Sequence, residues 1–263
     1  MHLRTLLPCA AIASALTANL AGQPSSSTKA FTGVRLIDGT ARAPLDNATI
    51  VVRDGRVVAA GANVTIPAGA ERVALAGKTV IPGLINAHGH VGDTAGLAGG
   101  HYSAENVMRD LRLYAAYGVT TVFSLGGDQA AGFAARDSQA TPALDRTRLF
   151  VAGPVLAPRS ADEARKLVDD DAAMKVDIVK IRVDDNLGTT AKMTPEIYRA
   201  VIDEAHKKRL RVAVHLFYLA DARSVLDAGA DFIAHSIRDA DVDADTIAAL
   251  KTRDVCVCPT LMR

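Results

Sequence analysis

The sequence predicts an α/β protein, an incomplete (β/α)8 barrel of about seven strands preceded by part of a small β-sandwich. Two observations favour this fold: β-branched, turn-rich segments over residues 31–80, and strands that alternate with helices beyond them. Alternating strands and helices indicate parallel βαβ units. Spacings of about 20 to 35 residues per unit suit a barrel, which typically takes about 250 residues.

The N-terminal segment is predicted to lie outside the fold. Residues 1–21 have the order of a signal peptide, with one basic residue ahead of the small apolar run Thr5–Ala18, and residues 22–30 form a polar spacer. The apolar run is shorter than the roughly 20 residues that span a bilayer. We therefore expect export to the periplasm or beyond and no membrane span; the alternative is a disordered extension.

The next segment, residues 31–80, is predicted to be the partial β-sandwich. Asp54-Gly55 lies between Ile50–Val52 and Val57-Val58, and Asp-Gly between two apolar runs is a strong hairpin signal. This segment contains no histidine and no charged cluster, so we interpret it as scaffold.

Residues 81–263 are predicted to form the barrel. The predicted strands share apolar, β-branched composition and lie at 80–86, 119–124, 147–152, 177–183, 211–215, 231–235 and 254–259. Helices are predicted between most of them. Ser103 caps one that runs to Tyr117, Thr194-Pro195-Glu196 begins another, and Ala220–Ala228 forms a third.

Composition excludes several classes of protein. The 263 residues carry 30 Lys and Arg against 29 Asp and Glu, a net charge of +1. The sequence therefore lacks the excess of positive charge that is typical of proteins that bind nucleic acid. Three cysteines cannot make a disulfide-rich scaffold. We expect Cys256 and Cys258, on the last predicted strand, to be small buried hydrophobic residues.

Four histidines stand at the ends of predicted strands, where barrel active sites form: His88, His90, His215 and His235. His88 and His90 are two residues apart, and in an extended chain that spacing points both rings to one side. Any one of them alone is more often a core or rim residue. Together they favour a metal site, because neutral imidazole is the commonest metal ligand. His206, beside Lys207 and Lys208, is interpreted as a solvated surface residue.

Lys180 lies between Val179 and Ile181 on a predicted parallel strand, where a cation is costly to bury. One explanation is an ion pair with Asp184 or Asp185. The other is catalytic: desolvation favours the neutral amine, which is nucleophilic and can add carbon dioxide. The resulting carbamate offers two oxygens that can bridge two metal ions.

These residues resemble the amidohydrolase superfamily, in its imidazolonepropionase-like and prolidase-like branch. The first barrel strand of that superfamily resembles Thr79–His90, TVIPGLINAHGH, and its second strand and loop resemble Gly118–Asp128, GVTTVFSLGGD. Lys180, His215 and His235 match the lysine and histidines of strands four, five and six, and Cys256–Leu261 resembles strand seven. The resemblance covers about residues 31–263.

The resemblance implies two divalent metal ions, with Zn²⁺ the expected metal. His88 and His90 would hold one ion, His215 and His235 the other, and carbamylated Lys180 would bridge them. The reaction implied is hydrolysis of a C–N bond in an amide, cyclic amide or dipeptide by a metal-activated hydroxide. His101, in a loop after the first strand, and Tyr218, after His215, are candidate substrate contacts, each with a plain surface or packing role as the alternative.

The sequence also departs from the superfamily pattern. The aspartate that ends strand eight in the superfamily has no counterpart before Arg263, so we expect a chain shortened at its C-terminus.

The alternatives to an amidohydrolase are a metal-binding fragment without turnover, a single-metal deaminase and a nucleotide-binding protein. A deaminase usually has a Glu soon after the fifth-strand histidine, whereas Leu216 and Phe217 stand here. Gly126-Gly127 alone supports nucleotide binding. Oligomeric state is not predicted.

Overall fold

The computed structural model describes residues 28–260. The predicted signal peptide and most of the predicted spacer lie outside the described residues. The described residues form two compact units, the first ending at Val80 and the second beginning at Ile81. Within residues 28–260, no helix has both the length and the apolar character needed to cross a bilayer.

The first unit is one five-stranded sheet in the order β3-β2-β1-β4, with β5 also paired to β1. Its strands are β1 Thr28–Leu36, β2 Leu45–Arg53, β3 Arg56–Gly61, β4 Glu71–Ala74 and β5 Thr79–Val80. Strand β1 is antiparallel to β2 and parallel to β4 and β5. Small and branched side chains on one face form its core: Val34, Leu36, Ala48 and Ile50.

The hairpin predicted at Asp54-Gly55 is confirmed. Arg53 pairs with Arg56 across a two-residue loop, and β2 and β3 are antiparallel. Asp54 and Gly55 both have positive φ, 50° and 75°. Positive φ at both loop residues defines the type I′ turn, whose twist matches that of the two strands.

The second unit is mixed α/β with parallel sheets. Its strands are β6 Leu84–Gly89, β7 Val119–Ser124, β8 Arg148–Val151, β9 Val155–Leu156, β10 Val179–Arg182, β11 Val212–His215, β12 Phe232–Ala234 and β13 Cys256–Cys258. Its helices are α1 Ala104–Ala116, α2 Ala130–Asp137, α3 Ala161–Met174, α4 Pro195–Lys207, α5 Leu219–Asp227 and α6 Ala244–Thr252. One sheet has the order β6-β7-β8 and the other β13-β12-β11-β10-β9. This arrangement is compatible with a TIM-barrel-like fold.

The structure differs from the predicted strands at two places. The prediction 80–86 joined two elements, because Thr79 and Val80 pair with β1, whereas the second unit's first strand begins at Leu84. The prediction 147–152 agrees with β8 to within one residue at each end, but the short strand β9 that follows it and pairs with β10 was not predicted. Short strands with broken pairing leave no clear periodicity in the sequence.

The alternation of side chains along the parallel strands separates core from site. On β10, Val179 and Ile181 are fully buried in a large cluster that includes helix residues such as Val168, Val201 and Val225. Burying such a side chain stabilises the fold by about 1.5–3 kcal/mol. Lys180 and Arg182, the alternate residues of β10, point to the other face, because successive side chains alternate across a strand.

The helix starts follow the predicted signals. Ser103 caps α1, its hydroxyl accepting a hydrogen bond from the Asn106 N–H at 3.1 Å, and Thr194 precedes Pro195 at the start of α4.

The prediction that Cys256 and Cys258 are buried is wrong: Cys256 is exposed and Cys258 half-buried. Strand β13 is the last in its sheet, paired with β12 alone among the described strands, so its side chains have fewer neighbours.

Candidate active site

Four imidazole rings meet at the carboxyl ends of the parallel strands. His88 lies on β6 and His90 directly follows it, His215 ends β11, and His235 follows β12. The ring centres are 5.4 Å apart for His88 and His90, 4.5 Å for His88 and His235, and 4.3 Å for His215 and His235. The structure therefore brings together all four histidines proposed as metal ligands.

A β-bulge places His88 in this cluster. Asn86 pairs with Val122 and Gly89 with Ser124, so β6 has one more residue than β7 between these two pairs. A bulge of this kind bends the strand and changes the direction of a side chain, and bulges are common beside active sites.

Three of the rings are held by a contact to one ring nitrogen. His90 Nδ1 lies 3.0 Å from the Gly126 carbonyl oxygen, and His235 Nδ1 lies 2.5 Å from the Thr260 hydroxyl. His215 Nε2 lies 3.0 Å from a carboxylate oxygen of Asp184. Metal-ligating histidines are oriented in this way by groups behind them.

Asp184 joins two parts of the site. Its side chain is completely buried, and its Oδ1 accepts hydrogen bonds from Arg182 Nε at 3.0 Å and from the Asn186 N–H at 3.0 Å. Burial raises its pKa, but these hydrogen bonds and the neighbouring His215 and Arg182 hold the pKa below its ordinary value. Asp184 is therefore an anion between a guanidinium and an imidazole.

Lys180 is buried, with 3% of its surface exposed, and its Nζ has no hydrogen-bond partner. Burial lowers the pKa of this amine to about 8. The proposed ion pair with Asp184 or Asp185 does not form, because Asp184 contacts Arg182 and His215 while Asp185 accepts a hydrogen bond from Tyr218. Near neutral pH, a larger fraction of this amine is therefore neutral than in an exposed lysine.

The cluster lines an open cavity of about 600 Å³. Its lining residues are His88, His90, Leu125, Val155, Lys180, Arg182, His215, His235 and Thr260. None of these described lining residues is a carboxylate. Burial, reinforced by the charge of Lys180, lowers the pKa of His88 to about 3, so that ring is neutral at physiological pH.

The donor set fits a metal. Within residues 28–260, no three His, Cys, Asp or Glu side chains already stand in a metal-binding arrangement. Two buried nitrogens that could donate to a metal nevertheless lack any hydrogen-bond partner, His88 Nδ1 and Lys180 Nζ. Leaving a buried polar atom unsatisfied is costly, so a ligand for these atoms is expected. Neutral imidazoles are suitable donors for Zn²⁺.

His101 and Tyr218, the predicted substrate contacts, do not line this cavity. His101 is exposed in the loop before α1, where its carbonyl accepts a hydrogen bond from Asn106. Tyr218 donates a hydrogen bond to Asp185 at 2.8 Å, and Lys192 Nζ lies 3.9 Å above its ring. His206 is 43% exposed, in agreement with the surface interpretation, and contacts Asp231 at 3.0 Å.

The sequence interpretation missed Arg182 and Thr260, which both line the cavity. Arg182 had a detectable signal: it stands two residues after Lys180 on the same strand, and period-two alternation places both on one face. Thr260 had none, because its contact with His235 joins residues 25 apart in the sequence.

The fold and site together define a class of protein. It is an α/β protein whose polar site, rich in histidine, lies at the carboxyl ends of parallel strands. The model of the Amidohydrolase family matches residues 79–260, and the chain belongs to this family of hydrolases. No curated protein sequence matches the chain significantly.

Several solved structures have a similar fold. A candidate prolidase from Bifidobacterium longum is 27% identical, with a TM-score of 0.74 over 86% of this chain and 57% of that one. A Xaa-Pro dipeptidase with bound methionine is 19% identical, with a TM-score of 0.76 over 89% and 66%. Phenylurea hydrolase B is 22% identical, with a TM-score of 0.77 over 88% and 64%. This chain spans less than two thirds of the length of each of these structures.

Proposed function

We propose that the protein is a metal-dependent amidohydrolase that cleaves a C–N bond in an amide, cyclic amide or dipeptide. The observation that supports this most strongly is the convergence of four histidines and a buried, unpartnered lysine in one cavity. The relatives named as prolidase, dipeptidase and phenylurea hydrolase support a small-molecule or dipeptide substrate. The proposed fold of the second unit is an incomplete barrel of about seven strands, and that of the first is part of a β-sandwich.

The residues that would hold two divalent ions, with Zn²⁺ the expected metal, are the four histidines and Lys180. His88 and His90 would bind one ion, His215 and His235 the other, and Lys180 both. Bound metal would supply a hydroxide at neutral pH and polarise the substrate carbonyl.

Lys180 would act as a carbamate. The neutral amine forms an N–C bond to carbon dioxide and releases one proton to solvent, which converts a buried base into an anion with two oxygens. The absence of a hydrogen-bond partner on Nζ supports this role, because no carboxylate competes for the amine. The space beside it is open, since Lys180 lines the cavity.

The remaining residues orient and shield the site. The Gly126 carbonyl, Thr260 hydroxyl and Asp184 carboxylate hold three of the rings in place. Leu125 and Val155 form an apolar part of the cavity wall.

The test begins with the metal. The full chain is incubated with Zn²⁺ and bicarbonate, bound zinc is counted by mass spectrometry, and amine release is measured on a panel of N-acyl amino acids, dipeptides and lactams. We expect about two zinc ions per chain and release of amine from at least one class. Bound zinc with no turnover of any amide would contradict the proposed activity, and no bound zinc would contradict the site.

Export is a second part of the proposal and has a separate test. Residues 1–21 have the composition of a signal peptide, so the mature protein is expected outside the cytoplasm. Cell fractionation with intact mass measurement checks this. Full-length protein confined to the cytoplasm would contradict it.

A further inference from the structure

Arg182 is the one guanidinium among the described residues that line the histidine cavity. It lies on β10 two residues beyond Lys180, and the alternation of the strand turns both side chains to the same face. Its side chain is 33% exposed, although its Nη2 atom is buried.

The two ends of this guanidinium differ in their contacts. Arg182 Nε donates to Asp184 Oδ1 at 3.0 Å, which fixes the plane of the group. Arg182 Nη2 is buried and has no hydrogen-bond partner. A guanidinium presents its donors as a rigid fork that matches the two oxygens of a carboxylate. One part of the fork is thus anchored, and another carries an unsatisfied donor.

The rest of the cavity suits an anion with an apolar neighbour. The described lining residues include Arg182 and no carboxylate; Asp184, the anion that pairs with Arg182 Nε, is not among them. Leu125 and Val155 supply an apolar wall in the same cavity. A carboxylate beside an aliphatic side chain meets both conditions.

We infer that Arg182 is a specificity-determining residue that binds the carboxylate of an N-acyl amino acid or dipeptide substrate. This inference rests on the proposed amidohydrolase function and names the class of substrate for the same site. The scissile amide lies next to the carboxylate-bearing carbon in such molecules, so a substrate held by Arg182 places its amide within the cavity that the histidines line.

The test compares an acid with its neutral amide. N-acetyl-leucine and N-acetyl-leucinamide share the acetyl amide and the aliphatic side chain and differ in the carboxylate alone. Their dissociation constants are measured by calorimetry on the zinc-loaded and bicarbonate-treated full chain. We expect the wild-type protein to bind the acid about tenfold or more tightly than the amide, as for a hydrogen bond to a charged group. Equal affinities would overturn the inference.

Variants of Arg182 test whether this residue causes the preference for the acid. Arg182→Gln is expected to abolish the preference for the acid, and Arg182→Lys, which keeps the charge without the fork, to retain part of it. Arg112→Gln is the matched control, because Arg112 also pairs with an aspartate, Asp145, but lies outside the lining of this cavity. Its preference for the acid is expected to equal that of the wild type.

Two further outcomes would count against the inference. If Arg182→Gln keeps the preference, another residue binds the carboxylate. If it loses zinc and weakens both ligands equally, Arg182 supports the metal site or the Lys180 carbamate instead. Should Arg182→Gln fail to fold, the wild-type comparison and Arg182→Lys still decide the question.

Leucine release, measured in parallel, separates this inference from the proposed function. A preference for the acid without amine release from any substrate of the panel would contradict the hydrolytic activity alone. Leucine release with no preference for the acid would contradict the role of Arg182 alone.

Discussion

His90 Nδ1 lies 3.0 Å from the carbonyl oxygen of Gly126, a residue 36 positions further along the chain. Gly126 belongs to the loop after β7, so this contact ties the second histidine of the H-x-H pair to the neighbouring strand. A backbone carbonyl behind an imidazole fixes the ring and leaves Nε2 to bind a metal.

Gly126→Ala is expected to weaken zinc binding about 10–100-fold, the usual cost of losing an outer-shell partner. Gly126 has a φ of +112°, and an added Cβ would lie 2.4 Å from Val155 Cγ2, so the loop must move. Competition with a chelator measures the affinity. Gly127→Ala is the control, since that residue also has positive φ but its Cβ would meet no atom within 4 Å. Equal losses in the two variants would show that backbone strain, and not the His90 contact, is responsible.

Lys180→Met is expected to lower bound zinc from about two ions towards one or none per chain, because it removes the shared ligand. The same change should stabilise the metal-free protein by about 1–3 kcal/mol, since it replaces an unpartnered buried amine with an apolar side chain. Metal analysis and urea unfolding measure the two effects. Lys166→Met, on an exposed helix position paired with Asp170, should change neither by much. Unchanged zinc content in Lys180→Met would make Lys180 an ordinary structural residue.

Asp184→Asn is expected to reduce zinc affinity about 10–100-fold through His215 and to lower the free energy of unfolding by about 1–3 kcal/mol. The reason is that the carboxylate contacts both His215 and Arg182 in a fully buried position. Chelator competition and chemical denaturation check both values. Asp185→Asn provides the comparison, because its carboxylate contacts Tyr218 instead. If Asp184→Asn bound zinc like the wild type, the orienting role assigned to Asp184 would be wrong.

Asp171 predicts a pH dependence of stability. It is completely buried on α3, neither carboxylate oxygen has a hydrogen-bond partner, and burial, aided by the charge of Asp170, raises its pKa to about 7. The unfolded carboxyl ionises near its ordinary pKa of 3.8, so the folded state binds more protons between these two values. The contribution of Asp171 to stability is therefore greatest below pH 3.8 and is lost as the pH rises through about 7.

Asp171→Asn is expected to remove this slope and to be more stable than the wild type by about 1–3 kcal/mol at pH 8, where the buried carboxylate is ionised. Denaturation at pH 5 and pH 8 gives the comparison. Asp162→Asn, an exposed change on the same helix, should keep the wild-type slope. A slope that persists in Asp171→Asn would assign the pH dependence to another group.

The sequence by itself determined the alternation of strands and helices in the second unit and the positions of the four histidines and Lys180. These features depend on local composition and on period-two or helical spacing, which neighbouring residues show directly. The Asp54-Gly55 hairpin and the cap at Ser103 are of the same kind. Strand limits were less accurate where pairing is broken, as at the boundary between β5 and β6 and between β8 and β9.

The tertiary structure alone decided what holds three of the four rings. His90 with Gly126, His235 with Thr260 and His215 with Asp184 join residues from different loops and strand ends. It also showed that Lys180 is unpartnered and that Arg182 shares its cavity. The physical reason is that the partner of a side chain depends on strand register, a bulge and packing across the sheet, which are set by contacts between residues far apart in the sequence.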